Sequence, residues 1–562
     1  MTDDLQFNDL TGKETTMLEG GINGQDFKAL FDAGMTWLRT NHQLVNSLNV
    51  FPVPDGDTGT NMLLTMQAAM NEVQHSGELN IGKMAHSLAK GALLGARGNS
   101  GVILSQIWRG FARSLDSVDM MDVNQFVGAL HEARNTAYKG VVRPVEGTIL
   151  TVIKDMAAAA EEALKTTSDL KTMLEVVVSA ADKSVRNTPE LLPVLKQAGV
   201  VDSGGKGLYF IFDGIARFLN NQPLDTAIAT VQPLSALSLE QTKEEIEPGQ
   251  DYEVVIDFKP YKTLNLEEFY SQLSDIGTSI QIGEGDGMYR MHIHVPTDRR
   301  YDPIDYTMSI GTVTKVNMEN LMDQMNGSSD SSCEPELKFP EVEPGNIAVI
   351  VVSPGTGISR IFASLGAAGV VHGGQTMNPS TEEILHAFEN LPTDKIIILP
   401  NNKNIILAAQ TAVSMSVKKV AVIPSKNVPQ GLSALLRLIP DGNFEQNVKE
   451  MNEALSDVET CEITQATRSV EINGVHVKEG EVIGLLNGKL VYSSDNLKQT
   501  CLELLKEAGA DERERITFFY GNNISEKEVN TIIETVQIRY PNHELEVHQG
   551  GQPHYQFIIA VE

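Results

Sequence analysis

The chain has 562 residues, with 74 acidic against 44 basic side chains and a formal net charge of -30. A field of that sign repels phosphodiester backbones and anionic lipid headgroups, which argues against nucleic acid and membrane surfaces as main partners. At roughly 100–200 residues per core, the length implies about three or four domains.

Residues 1–20 are polar and acidic. They read as a disordered tail with no secretory signal, and the expected setting is cytoplasmic. Cys333, Cys461 and Cys501 agree with a reducing compartment: none stands in CxxC spacing, and no disulfide framework can be built from them. From Gly24 the pattern turns helical, as in DFKALFDAGMTWLRTNHQLVNSL, with apolar residues three and four apart. Further helical stretches follow at 60–75, 80–94, 99–115, 122–138, 147–164, 168–184 and 205–219, and no strand is evident before residue 220. Residues 21–220 therefore read as one all-helical domain of about eight helices.

Residues 221–250 lack a period and read as a linker. Over 251–325 the texture becomes α+β: a strand YEVVIDF, a helix NLEEFYSQLSDIG, a hairpin SIQIGEGDGMYRMHIHV and a helix PIDYTMSIG, in ferredoxin-like alternation. Residues 326–345, rich in Ser, Pro and acid, form a second linker. Over 346–562, the strands NIAVIVVS, KIIILP and KKVAVIPS alternate with helices, the signature of a parallel α/β sheet. From about 467 onward, VEINGVHV, EVIGLLNGKLVYS, ITFFYG and QFIIAVE add a second lobe. The apolar runs are strand-length, far short of a membrane span.

Chemistry concentrates in NVFPVPDGDTGTNM, residues 49–62. Asp55 and Asp57 stand one residue apart where the prolines and glycines bar a helix, and like charges held that close call for a cation. Mg²⁺ fits: it takes oxygen ligands, commonly one or two carboxylates plus phosphate oxygens. Glycines let backbone N–H groups approach phosphates, and a helix starting near Thr60 adds its dipole. Three more turns precede helices: GARGNSGVILSQ (95–106) with Asn99, Ser100 and Gly101; RPVEGTILTV (143–152) with Thr148; and AGVVDSGGKGL (198–208) with Asp202, Ser203, Gly204 and Gly205. Each alone reads equally well as a helix cap. No GxxxxGK[ST] occurs, which excludes a P-loop enzyme.

Those four segments, in that order, resemble the DhaL-type nucleotide-binding component of dihydroxyacetone kinases. With HGGQTMNPST (372–381), ILPNNKNI (398–405) and PQGLSAL (429–435), which resemble a DegV-like region, residues 24–562 as a whole resemble the FakA-type fatty acid kinase family. The resemblance implies a multidomain chain: an all-α eight-helix barrel binding ATP through Mg²⁺, an α+β middle domain and an α/β DegV-like C-terminal region. It gives Asp55 and Asp57 the metal and catalytic roles, with Asn49 near the place of a third metal aspartate. It puts Thr58, Gly59, Asn61, Met62, Asn99, Ser100, Gly101, Thr148, Asp202 and Gly204 at the nucleotide. The implied reaction is transfer of the ATP γ-phosphoryl group to a fatty acid carboxylate presented by a separate DegV-type carrier, by a homodimer. A dihydroxyacetone-type (glycerone) kinase and a non-catalytic lipid-sensing scaffold are the competing readings.

His292 and His294 stand two apart on a strand and so share a face, as zinc ligands can. The family's middle domain pairs such histidines with a cysteine, near whose place this chain carries Asp251; a zinc site of Asp251, His292 and His294 is the resulting expectation. The turns 353–357 and 373–376 read as a lipid-carboxylate site or as ordinary βα turns, with docking or dimerisation the favoured use of the C-terminal region.

Overall fold

A computed structural model describes residues 21–49, 56–141, 143–224, 232–233, 251–262, 264–285, 288–320, 337, 339–375, 377–466, 469–472 and 474–562. The expected tail, most of both expected linkers, Asp55, Thr376 and Cys333 lie outside the described residues.

Between residues 24 and 219 the described chain is helical: α1 (Gly24–Leu48), α2 (Thr58–Val73), α3 (Ile81–Leu94), α4 (Gly98–Ser114), α5 (Val123–Gly140), α6 (Ile149–Ala163), α7 (Leu170–Leu191), the six-residue α8 (Pro193–Ala198) and α9 (Ser203–Leu219). Local chemistry starts them. Asn23 with Asp26, and Asp122 with Gln125, form capping boxes at α1 and α5. Each long helix packs on the next, and α9 returns to α1. Their apolar stripes meet in one core around Trp37, Trp108, Phe111, Phe210 and Phe212.

The middle segment runs β2 (Tyr252–Pro260), α10 (Leu266–Ser274), β3 (Thr278–Gly285), β4 (Met288–Val295), α11 (Asp302–Ile310) and β5 (Gly311–Asn320), with the two-residue β1 (Gln232–Pro233) added beside β3. The sheet order β1-β3-β4-β2-β5, antiparallel among β2 to β5, is the split βαβ arrangement expected. Strand β5 goes beyond the sequence expectation: TVTKVNMEN is too polar to stand out until β2 pairs with it.

Among the described residues the C-terminal segment holds two larger sheets and a two-stranded pair. The first is all parallel, in the order β7 (Gly369–His372), β6 (Ile347–Ser353), β8 (Lys395–Leu399), β9 (Lys419–Val422). Every residue of β6 is buried, as a central strand covered on both faces requires. Its helices are α12 (Thr356–Ser364), α13 (Thr381–Glu389), α14 (Ile406–Met415), α15 (Val428–Leu435) and α16 (Phe444–Ala454). The second sheet has the order β14-β13-β10-β17-β15-β16, built from β10 (Glu459–Gln465), β13 (Val482–Leu486), β14 (Lys489–Ser494), β15 (Arg515–Tyr520), β16 (Glu544–Gln549) and β17 (Phe557–Val561); β11 (Val470–Ile472) and β12 (Val475–Val477) form a separate pair. This lobe starts earlier than 467 because β10 supplies its centre, and β16 likewise lies outside the strands expected.

The helical and C-terminal segments meet at the start of α4. Ala96 and Val102 share a core with Ile384, Phe388 and Ala408. Arg97 bridges Ser380, and the Thr381 N–H donates to the Ala96 carbonyl at 3.1 Å.

Candidate active site

Asp57 occupies the N-cap position of α2, where an aspartate ordinarily bonds its own helix. Here it makes no such bond. Asn46, near the end of α1, caps instead: its Oδ1 accepts from the Gly59 N–H at 2.7 Å and the Thr60 N–H at 3.1 Å, and its Nδ2 donates to Thr60 Oγ1 at 2.9 Å. The helices fit this closely only because residue 59 is glycine; a Cβ there would lie 2.2 Å from the His42 carbonyl oxygen. The Asp57 carboxylate, 6% exposed, accepts from the Asn378 carboxamide of the C-terminal segment.

The four turns converge through side-chain contacts. Ser203 Oγ donates to Thr58 Oγ1 at 3.3 Å, joining the α9 and α2 starts. Gly98, at φ +57°, lies against Asn61; a Cβ on it would come within 2.7 Å of Asn61 Nδ2. The Asp202 carboxylate caps α9 through the Gly205 N–H at 2.6 Å and also accepts from the Ile149 N–H at the start of α6. Burial pushes that carboxyl up to about 6, against the two N–H bonds that favour its charge.

Several expected residues have narrower roles. The Gly59 N–H is held by Asn46 Oδ1 at 2.7 Å. Met62 is wholly buried in the helical core. Gly101 is a packing position, where a Cβ would lie 2.4 Å from Thr65 Oγ1. Thr148 caps α6 and donates to the Val145 carbonyl at 2.7 Å. Asn99 is exposed and donates to Asn404 Oδ1 at 3.2 Å across the segment boundary. Ser100 is half-buried at the start of α4, and Gly204 is buried beside Ile149. Asn49 caps the end of α1 through its backbone. Sequence reasoning missed Asn46 and Asn378; the latter lies 321 residues from Asp57, so no local spacing could disclose the contact.

Residues 52–217 match the DAK2 domain family, residues 247–328 the FakA-like middle domain of fatty acid kinases, and residues 348–562 the FakA-like C-terminal region. An uncharacterized protein of Staphylococcus aureus strain MRSA252 is 38% identical over 548 residues, covering 96% of this chain and 99% of that one; one from strain USA300 matches to the same extent. The chain belongs to the FakA-like fatty acid kinase family. Its domains are those of a kinase, a phosphotransferase related to fatty acid kinase. Solved structures with weaker likeness include the dihydroxyacetone kinase from C. freundii in complex with AMP-PNP and Mg²⁺ (TM-score 0.27, 20% identity, 34% of this chain and 33% of that one). Another is DegV, a fatty acid binding protein from Bacillus subtilis (TM-score 0.29, 17% identity, 38% of this chain and 98% of that one).

In this FakA-like chain, the histidine pair gains a third group, and it is Glu253, not Asp251. Ligand atoms of Glu253, His292 and His294 all lie within 4.8 Å of one another. Glu253 sits opposite His294 in the β2–β4 ladder and so projects from the same face. Asp251 precedes the strand, and its carboxylate accepts from Thr297 Oγ1 at 2.5 Å. His292 Nε2 is buried without a hydrogen-bond partner. Burial, and then His294, holds the His292 ring down to about 3, so it stays neutral and able to ligate. In the C-terminal region the expected lipid-carboxylate turns are engaged internally. Ser353 Oγ donates to the Gly355 carbonyl at 3.2 Å, and Gln375 lies between Asn402 and the Tyr555 hydroxyl. Among the described residues no helix is long and apolar enough to cross a membrane.

Proposed function

We propose that this protein is an ATP- and Mg²⁺-dependent fatty acid kinase. It transfers the γ-phosphoryl group of ATP to the carboxylate of a fatty acid presented by a DegV-type binding protein, giving an acyl-phosphate and ADP. The observation that carries this reading is that four helix-start turns are linked to one another, through Ser203 to Thr58, Gly98 to Asn61 and Asp202 to Ile149, beside a buried Asp57 whose carboxylate does not cap its own helix.

The residues fit a hard cation. Asp57, with Asp55 and Asn49 from the same loop, would hold Mg²⁺, which when bound supplies positive charge against the phosphate oxygens. Around it, the chain positions and encloses. The Thr58, Ser203 and Asn61 side chains stand at the helix starts, where amide dipoles favour anionic groups. Asp202, raised to about 6, carries its charge less readily than an ordinary carboxylate and suits a neutral hydroxyl or ring nitrogen more than a phosphate. The acceptor carboxylate is its own nucleophile, so no covalent residue on the protein is needed; in-line positioning and charge neutralisation suffice. The closed succession of helices supports reading residues 21–220 as an eight-helix barrel domain, followed by domains at 251–325 and 346–562. A homodimer belongs to the same reading, as does a structural or catalytic Zn²⁺ held by Glu253, His292 and His294, which the orphaned His292 Nε2 supports.

The test is acyl-phosphate formation, trapped with hydroxylamine, from full-length protein, Mg²⁺, ATP and a fatty acid loaded on a DegV-type carrier. Product should require the carrier, and Asp57→Ala should abolish it with the fold retained. Tight ATP binding without carrier-dependent product would remove the fatty acid reading. Turnover with dihydroxyacetone in its place would establish the glycerone kinase alternative.

A further inference from the structure

The loop between β7 and α13 of the C-terminal segment reaches into the site of the helical one. Asn378 is 2% exposed, and its Nδ2 donates to Asp57 Oδ2. Its Oδ1 is buried with no hydrogen-bond partner, an arrangement native structures rarely leave unexplained. Its place is set by backbone and charge together. Arg97, the residue before α4, donates to the Asn378 carbonyl at 3.0 Å and pairs with Glu383 at 3.1 Å. Ser380 bridges Arg97, and Thr381 bonds Ala96, so the loop is pinned just beyond the carboxamide as well as at it.

We propose that the C-terminal segment completes the cation site of the helical segment within one chain, the Asn378 carboxamide standing beside Asp57 as a residue of that site. The proposal rests on the reading that Asp57 holds a divalent cation with a nucleotide. Carboxamide and carboxylate oxygens are both ligands that hard divalent cations accept. The terminal amide torsion of asparagine is broad and roughly two-fold, and its oxygen and nitrogen ends are alike in size. The same side chain can therefore donate to the Asp57 carboxylate or turn its oxygen to a cation that Asp57 binds. Alanine or leucine could do neither, and aspartate only the second. Cation binding and docking of the two segments are then linked, each tightening the other by the same factor.

The experiment measures Mn²⁺ binding by the loss of its free electron-paramagnetic signal, with AMP-PNP present, in the full-length protein, Asn378→Ala and Asn378→Asp. Backbone hydrogen exchange at residues 96–101 is followed in parallel. Asn378→Ala should weaken Mn²⁺ about fivefold or more, within the range usual for coupled sites. Asn378→Asp places a second carboxylate beside Asp57, so residues 96–101 should exchange faster without Mn²⁺ and recover protection when Mn²⁺ is added. Unchanged Mn²⁺ affinity in Asn378→Ala would overturn the proposal. So would exchange in Asn378→Asp that ignores Mn²⁺, since that is the behaviour of a residue that only holds two surfaces together. Wild-type protein that binds no Mn²⁺ with AMP-PNP would overturn it together with the reading of Asp57 on which it rests, and that outcome is separable because it precedes any variant.

Discussion

Asn46→Ala tests how the site is assembled. The substitution removes the acceptor of the Gly59 and Thr60 N–H groups and the donor to Thr60 Oγ1. Loss of a helix cap costs about 1–2 kcal/mol, and loss of a further partly buried hydrogen bond about 1 kcal/mol. The sum, about 2–3 kcal/mol, should lower the melting temperature of a domain of this size by roughly 4–12 °C. Tryptophan fluorescence isolates the relevant transition, because the two tryptophans, Trp37 and Trp108, both lie in the helical core. A functional loss should accompany it: with the cap gone, Asp57 stands at the N-cap position and is drawn to bond its own helix, away from the cation. Asn46→Asp, which keeps the acceptor oxygen, should retain most of the stability. A melting curve for Asn46→Ala that overlays wild type, with unaltered nucleotide binding, would refute the capping argument.

Asp202 should make the helical segment pH-sensitive. Its folded value of about 6 exceeds the ordinary 3.8, so the stability tied to its neutral form is present below about 4 and lost as pH rises through 6. The full difference corresponds to about 3 kcal/mol; Asp202→Asn should melt with a flatter pH profile than wild type between about pH 4 and 7, and an identical profile would count against the burial argument. Glu253→Ala should lower the zinc content of purified protein as measured by mass spectrometry, whereas Asp251→Ala should leave it unchanged. Cys461 and Cys501 are buried and burial raises both thiols, Cys501 to about 12. Neither should react with a thiol reagent at mildly alkaline pH until the C-terminal segment unfolds, and rapid native-state labelling at either position would contradict the packing.

Where local pattern carries the information, the sequence sufficed. Apolar spacing placed the long helices between 24 and 219, because a 3.6-residue period has one structural meaning over that length. The continuous apolar run of β6 announced a strand buried on both faces. Glycine-rich turns before helices marked the four segments of the candidate site, since residues without a Cβ let those helix starts pack closely, as Gly59 does against His42 and Gly101 against Thr65. The strands β5, β10 and β16 escaped, being half-polar, with their identity supplied by partners far along the chain. The sequence also could not divide labour within the site. That Asn46 relieves Asp57 of capping, that Glu253 and not Asp251 faces the histidines, and that Asn378 arrives from 321 residues away are facts of packing. Each depends on which surfaces come together, and burial of apolar area across distant segments, such as Ala96 and Val102 against α13 and α14, decides that without leaving a local signature.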